Sequence, residues 1–223
     1  MDKRHTFKQL HALPKEKKMK ILADTHFGHK NILLYEPSRV QKAHMEGYED
    51  FDRFLIDWLN DQIEKDDEVL HLGDVAFGDG YRIAKRLQGN ITLIKGNHDK
   101  ERHLEFYKTL GWRVIETIEI AIEDFDESNL KYLQYKYDRK TLSRTACLVK
   151  DFAGKRVLFS HYPVFNDNPY DENYQNISQL LQEIFALCAC DINIHGHTHS
   201  YCVKDKRCIN ACLEANGFML YSL

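Results

Sequence analysis

The chain has 223 residues, 43% of them hydrophobic and 29% charged, with 31 basic against 34 acidic side chains and a formal charge of −3. That length holds one compact α/β domain or at most two small ones, and the composition excludes a disordered chain, a collagen-like repeat and a disulfide miniprotein. The charge balance disfavours a general nucleic-acid-coating protein, and no apolar run approaches the roughly 18 residues of a membrane span.

Residues 1–19 are expected to form a polar basic leader. Positions 1–20 carry Lys3, Arg4, Lys8, Lys15, Lys17, Lys18 and Lys20 against Asp2 and Glu16, without the apolar segment of an export signal. Residues 20–223 are then expected to form a single domain. Lys20–Ala23 is a short apolar strand. Asp50–Lys65 is a helix with Phe51, Phe54, Leu55, Trp58, Leu59 and Ile63 near i, i+3, i+4 spacing, and Val69–Leu72 is a buried strand. Tyr81–Leu87 and Lys100–Leu110 are helices stopped by Gly89 and Gly111, with strand Ile91–Ile94 between them. From Val114, apolar residues alternate through Ile118, Ile120 and Ile122, predicting one half-exposed strand. Cys147–Phe152 and Arg156–Ser160 predict a hairpin, Tyr174–Leu187 a helix, Ile192–Ile194 a strand, and the stretch from about Tyr201 a last hairpin. A β-α-β first half followed by a hairpin-rich second half predicts two packed sheets flanked by helices. Cys147, Cys188, Cys190, Cys202, Cys208 and Cys212 show no paired C-x-x-C spacing. They are expected to be reduced thiols in a cytoplasmic protein.

Five strands end in polar clusters rich in metal-ligand residues: Asp24-Thr25-His26, Gly73-Asp74, Gly96-Asn97-His98-Asp99, Ser160-His161 and Gly196-His197-Thr198-His199. In open α/β sheets ligands bind beyond the carboxyl ends of strands, so the five clusters are expected to converge. Carboxylate, imidazole and amide oxygen suit divalent Mn, Fe, Co, Ni and Zn, and no thiolate stands among them. Two carboxylates, four imidazoles and one amide are too many donors for one ion. They fit two ions sharing a carboxylate, an arrangement that generates a hydroxide and clamps the oxygens of an in-line phosphoryl displacement. Any one of these histidines alone reads as a satisfied core residue; the ordered set of five motifs does not.

This set resembles the calcineurin-like metallophosphoesterase superfamily, whose pattern is D-x-H, G-D, G-N-H-D or G-N-H-E, H, then G-H-x-H. The run Asp24-Thr25-His26-Phe27-Gly28-His29-Lys30-Asn31-Ile32, with His71-Leu72-Gly73-Asp74, is most similar to a small branch of bacterial and phage phosphoesterases. The resemblance implies a four-layer α/β/β/α sandwich with two mixed β-sheets. It implies that Asp24, His26 and His199 hold one divalent ion and Asn97, His161 and His197 a second, with Asp74 bridging. It also implies that a metal-bridging hydroxide is the nucleophile and that His98, not itself a ligand, protonates the leaving oxygen. Manganese is the first expectation, with Fe, Ni, Co or Zn as alternatives.

Two departures narrow the substrate. Where protein Ser/Thr phosphatases and diadenosine-tetraphosphatases resemble G-D-x-V-D-R-G, this chain has Gly73-Asp74-Val75-Ala76-Phe77-Gly78-Asp79. Phe77 replaces the acidic residue that orients the catalytic His, and Gly78 replaces the phosphate-binding Arg. Those substrate classes are disfavoured, and Asp79 and Asp99 become the candidates for orienting His98. No tyrosine stands in a ligand motif, which disfavours the purple acid phosphatases. Residues 116–146 form an insertion or flap. Six acids in 116–127 precede five bases in 128–144, with Tyr132, Tyr135 and Tyr137 interleaved. They read either as a flap that stacks and neutralises a nucleotide or single strand, or as an exposed hairpin with charges on its wet face. The expected function is hydrolysis of a phosphate ester, a diester slightly ahead of a monoester, in a small phosphorylated substrate such as a nucleotide or a single-stranded nucleic-acid end. No membrane partner is expected. The alternative is a catalytically silent interaction scaffold, or a module that binds a phosphorylated ligand, on the same fold.

Overall fold

The computed structural model describes residues 19–152, 154–167 and 174–222; the expected leader, up to residue 18, lies outside them. The short apolar runs become parallel strands because both of their faces are covered. β1 (Met19–Leu22), β2 (Glu68–His71), β3 (Asn90–Ile94) and β4 (Arg113–Ile115) pair in parallel in that order. The terminal β10 (Tyr221–Ser222) closes the other edge, antiparallel to β1. The second sheet runs β5 (Ile118–Ala121), β6 (Cys147–Phe152), β7 (Lys155–Ser160), β8 (Ile192–His195) and β9 (Cys208–Asn210). Only its β6–β7 hairpin is antiparallel.

Three apolar layers hold four layers of structure together. Ile21, Leu70, Leu72 and Ile94 of the first sheet meet Leu148, Val157, Phe159 and Ile194 of the second. On the first sheet's outer face lie α3 (Phe51–Gln62) and α5 (Glu101–Thr109), through Phe54, Leu55, Leu59 and Leu104. The Asp50 side chain starts α3 by accepting the Arg53 amide at 2.7 Å. On the second sheet's outer face α8 (Gln175–Leu187) buries Ile177, Leu180, Leu181 and Ile184 against Val149 and Leu158. This is the α/β/β/α sandwich with two mixed sheets that the resemblance implied. The six cysteines are free. Among the described residues no helix is long and apolar enough to cross a membrane.

The differences from expectation lie where strands are shortest. The alternating run from Val114 is two strands, not one: β4 ends the first sheet and β5 begins the second. Residues 116–146 are not a hairpin. β5 and β6 are parallel and need a crossover, which α6 (Ser128–Lys136) and α7 (Arg139–Arg144) supply. Leu133 fixes α6 by burying at 1% exposure. Asp138 starts α7 by accepting the Thr141 amide at 3.0 Å. The last segment is not a hairpin either, because β9 and β10 join different sheets. Strands of three and two residues carry too little pattern to name a partner. Two helices were not legible, α1 (Ile32–Tyr35) and α2 (Pro37–Met45), and the expected helix Tyr81–Leu87 is the shorter α4 (Tyr81–Ala84), ending three residues early.

Candidate metal centre

The five polar clusters follow β1, β2, β3, β7 and β8, whose carboxyl ends point the same way in both sheets. Each chain must turn sharply there. Asp24, His26, Asp74, His197 and His199 all take positive φ, from 48° to 70°, and are five of the seven non-glycine residues that do so among those described. Such a conformation costs roughly 1–3 kcal/mol per residue, so backbone strain is concentrated in this one place. Glycine is required where the turns touch. A Cβ on Gly96 would lie 2.3 Å from Asp74 Oδ1, and one on Gly196 2.5 Å from Asp24 Oδ2.

On one side stand Asp24, His26 and His199. His26 Nε2 is 3.4 Å from Asp24 Oδ1, and His199 Nε2 is 3.9 Å from the same oxygen. Asp24 Oδ1 and both nitrogens of His26 are buried without a hydrogen-bond partner among the described residues. The other Asp24 oxygen accepts from the His197 amide at 2.8 Å and from the Cys212 thiol at 3.2 Å. Glu214 accepts from His199 Nδ1 at 3.3 Å, which fixes the tautomer and turns Nε2 inward. Glu214 in turn pairs with Arg39, whose guanidinium also donates to the carbonyls of Asp24 at 2.6 Å and Thr25 at 3.0 Å. Arg39 and Glu214 are 0% and 1% exposed.

On the other side stand Asp74, Asn97, His161 and His197. The Leu72 carbonyl accepts from His161 Nδ1 at 2.9 Å, so in the neutral ring Nε2 holds a lone pair. Burial drives the His161 pKa down to about 3, which keeps the ring neutral. Yet Nε2 faces Asn97 Oδ1 at 2.8 Å and Asp74 Oδ2 at 3.6 Å. Three ligand-type atoms converge there, an arrangement that a cation would satisfy. Asp74 also lies 3.8 Å from His26 Nε2 and so joins the two sides. Burial and the nearby charges of Asp24 and Asp99 hold the Asp74 pKa well above the usual carboxylate value. Burial also pushes Asp24 upward, but His26, His161 and His199 more than offset it and hold that carboxyl well below its usual value. The His161 and His197 rings meet at 5.1 Å. The donor set therefore fits divalent ions: Asp24, His26 and His199 group within ligand distance, as do Asp24, Asp74 and His161.

His98 sits at the rim with 49% of its side chain exposed, Nε2 4.0 Å from Asp74 Oδ2. Its amide donates to Asp74 Oδ1 at 2.8 Å. Neither acid expected to orient it does so. Asp99 is consumed by the amides of Asp74, Val75 and Gly96 at 2.8–3.0 Å and ties the β2 and β3 turns together. Asp79 is 86% exposed and faces Arg82. The neighbour of the His98 ring is instead Phe77, centroid to centroid 4.7 Å, which also stacks on His29 at 3.8 Å.

The structure brings the seven ligand candidates and His98 to one place, and sequence reasoning missed the groups that brace them. His71, flagged only as a neighbour, accepts the Gly73 amide through Nδ1 and bonds Thr25 Oγ1 through Nε2. Arg39, Glu214 and Cys212 were not flagged for the site at all.

Comparison with known proteins agrees with this geometry. The sequence profile of the calcineurin-like phosphoesterase superfamily domain matches residues 18–216. A protein of unknown function from Aquifex aeolicus shares the fold at a TM-score of 0.63 and 27% identity, covering 92% of this chain and 95% of that one. An archaeal phosphodiesterase is similar at a TM-score of 0.43 and 15% identity, covering 92% and 98%, a likeness too loose to speak to substrate. An uncharacterized protein of Methanocaldococcus jannaschii is 30% identical over 89 residues, 38% of this chain, and the match spans 48% of that protein's length. With the profile extending over all five ligand motifs, the chain belongs to the calcineurin-like phosphoesterase superfamily.

Proposed function

We propose that this chain hydrolyses a phosphate ester at the cluster of Asp24, His26, Asp74, Asn97, His161, His197 and His199. The observation that carries the proposal is the convergence of ligand-type atoms of His161, Asn97 and Asp74 beside the orphaned atoms of Asp24 and His26. Asp24, His26 and His199 would hold one divalent ion, and Asn97, His161 and His197 the other, with Asp74 shared; manganese is the first choice. Such a pair supplies a hydroxide nucleophile near neutral pH and neutralises charge on the phosphoryl oxygens.

The chain's own residues do the rest. Arg39 and Glu214 hold His199 with Nε2 inward. Asp99 keeps the Asp74 and Asn97 turns in register, so that the two sides share one carboxylate. His98 alone stands at the rim, half-exposed and off the ligand set, where its ring reaches the leaving oxygen and delivers a proton. An alkoxide leaving group needs that proton most, which places a phosphodiester slightly ahead of a phosphomonoester. A small nucleotide-like molecule or a single-stranded nucleic-acid end suits a chain of formal charge −3 better than a long duplex does.

The test is hydrolysis of bis-p-nitrophenyl phosphate and p-nitrophenyl phosphate by metal-stripped protein refilled with Mn²⁺, with Asp74→Asn as the blank. Metal-dependent turnover absent from the variant supports the proposal. Absence of turnover on either ester across Mn²⁺, Ni²⁺, Co²⁺ and Zn²⁺ would favour a scaffold or a binding module.

A further inference from the structure

The phosphate-binding arginine that other branches place at the position of Gly78 is missing, yet a guanidinium reaches the opposite flank of the centre. Arg144 is the last residue of α7, in the crossover between β5 and β6. Its Cζ lies 5.4 Å from the centroid of the Tyr174 ring, within cation–π range. Tyr174 packs against Tyr162 at 4.8 Å, and both rings pack edge-on against the ligand candidate His197, at 5.1 and 4.6 Å. Arg144 is exposed and makes no ion pair with any described residue, unlike Arg39, Arg86, Arg113, Arg156 and Arg207.

A second observation points to the same place. Tyr162 is 4% exposed, and the polar group beside its buried hydroxyl is the Arg144 guanidinium; a buried hydroxyl needs such a partner. The ring shelf of Tyr174 restricts a guanidinium that is still exposed, and a pre-organised guanidinium binds phosphate oxygens well.

We propose that Arg144, positioned by the Tyr174 ring and the Tyr162 hydroxyl, forms an anion subsite on the His161–His197 side of the centre that binds a phosphate oxygen of the substrate. The inference rests on the proposed phosphoesterase function. It gives the crossover helices a role: they present the cation that the β2 turn lacks.

The test uses inorganic phosphate as the probe, by calorimetry on the Mn²⁺-loaded full chain, alongside steady-state kinetics on bis-p-nitrophenyl phosphate. Arg144→Ala should weaken phosphate binding about 10- to 100-fold, as expected for a charge-assisted contact. Tyr162→Phe, which keeps the ring on His197, should weaken it less. Metal content should be unchanged in both variants, KM should rise more than kcat falls, and Arg144→Lys should recover part of the loss. Phosphate affinity within twofold of the parent in Arg144→Ala would overturn the subsite, as would a parent chain that binds no phosphate. Turnover by the parent is read separately, so a failed subsite in an active enzyme is distinguishable from the absence of phosphoesterase activity.

Discussion

On the Asp24 side of the centre, the outer histidine is held by charge: Glu214 takes the His199 proton, and Arg39 neutralises Glu214 from α2, 175 residues away in sequence. On the His161 side the corresponding proton goes to a main-chain carbonyl, that of Leu72, and His197 rests against tyrosine rings. The first brace depends on two side chains that meet only in the folded protein. The hold on His161 depends on a main-chain carbonyl at the end of a strand, which no single side-chain substitution removes. The two sides should therefore fail differently, although one carboxylate, Asp74, serves both.

The largest effect is expected where the sides meet. Asp74→Asn should reduce metal-dependent turnover to the level of the metal-free protein while circular dichroism stays native, because the shared ligand loses its charge but not its shape. Next comes the ionic brace. Arg39→Met leaves Glu214 buried and uncompensated, which should cost about 3–5 kcal/mol in urea unfolding. The double variant Arg39→Met/Glu214→Leu should recover much of that loss, and a double variant no more stable than Arg39→Met would show that the pair is not the brace. Glu214→Gln is milder: it should weaken binding of one Mn²⁺ by roughly 10- to 100-fold and leave the other nearly unchanged, read by calorimetric titration.

Acid should separate folding from metal binding. Burial lowers the pKa of His71 and His161 to about 3 and of His26 and His195 to about 4, against 6.5 when exposed. Above pH 6.5 these rings are neutral in both folded and unfolded chains. Between 6.5 and 3–4 only the unfolded chain takes up the protons, so stability should fall as pH falls through that window. Urea midpoints of the metal-free protein at pH 7.5, 6.5 and 5.5 should decline in that order; a flat series would contradict the buried neutral rings. The smallest effect is expected at Asp79→Asn. With its carboxylate exposed and facing only Arg82, stability should change by less than about 0.5 kcal/mol, and turnover should not change. A large loss there would return Asp79 to the role of orienting His98.

The convergence of the five motifs was legible because each motif sits at the end of an apolar run, and parallel strands carry their ends to one edge of the fold. Gly96 and Gly196 marked where those turns touch. What could not be read were contacts that depend on tertiary approach. Arg39 looks like any surface arginine until α2 folds over the Asp24 turn, and Glu214 lies in a short 3-10 turn with no pattern of its own. Asp99 was legible as part of a motif but not in its role, because its partners are backbone amides of two separate turns. The β4–β5 break was hidden because apolar residues recur at Val114, Ile118, Ile120 and Ile122 with only Glu116 interrupting the alternation, although the chain changes sheet between Ile115 and Ile118.

The most direct test of the two-sided centre is a Mn²⁺ titration of the metal-stripped chain, read by calorimetry and electron paramagnetic resonance, beside Asp74→Asn. Two ions per chain with a spin-coupled signal, lost in Asp74→Asn, are the expected result. A chain that takes up one ion or none, or two uncoupled ions unaffected by Asp74→Asn, would contradict a centre joined through Asp74.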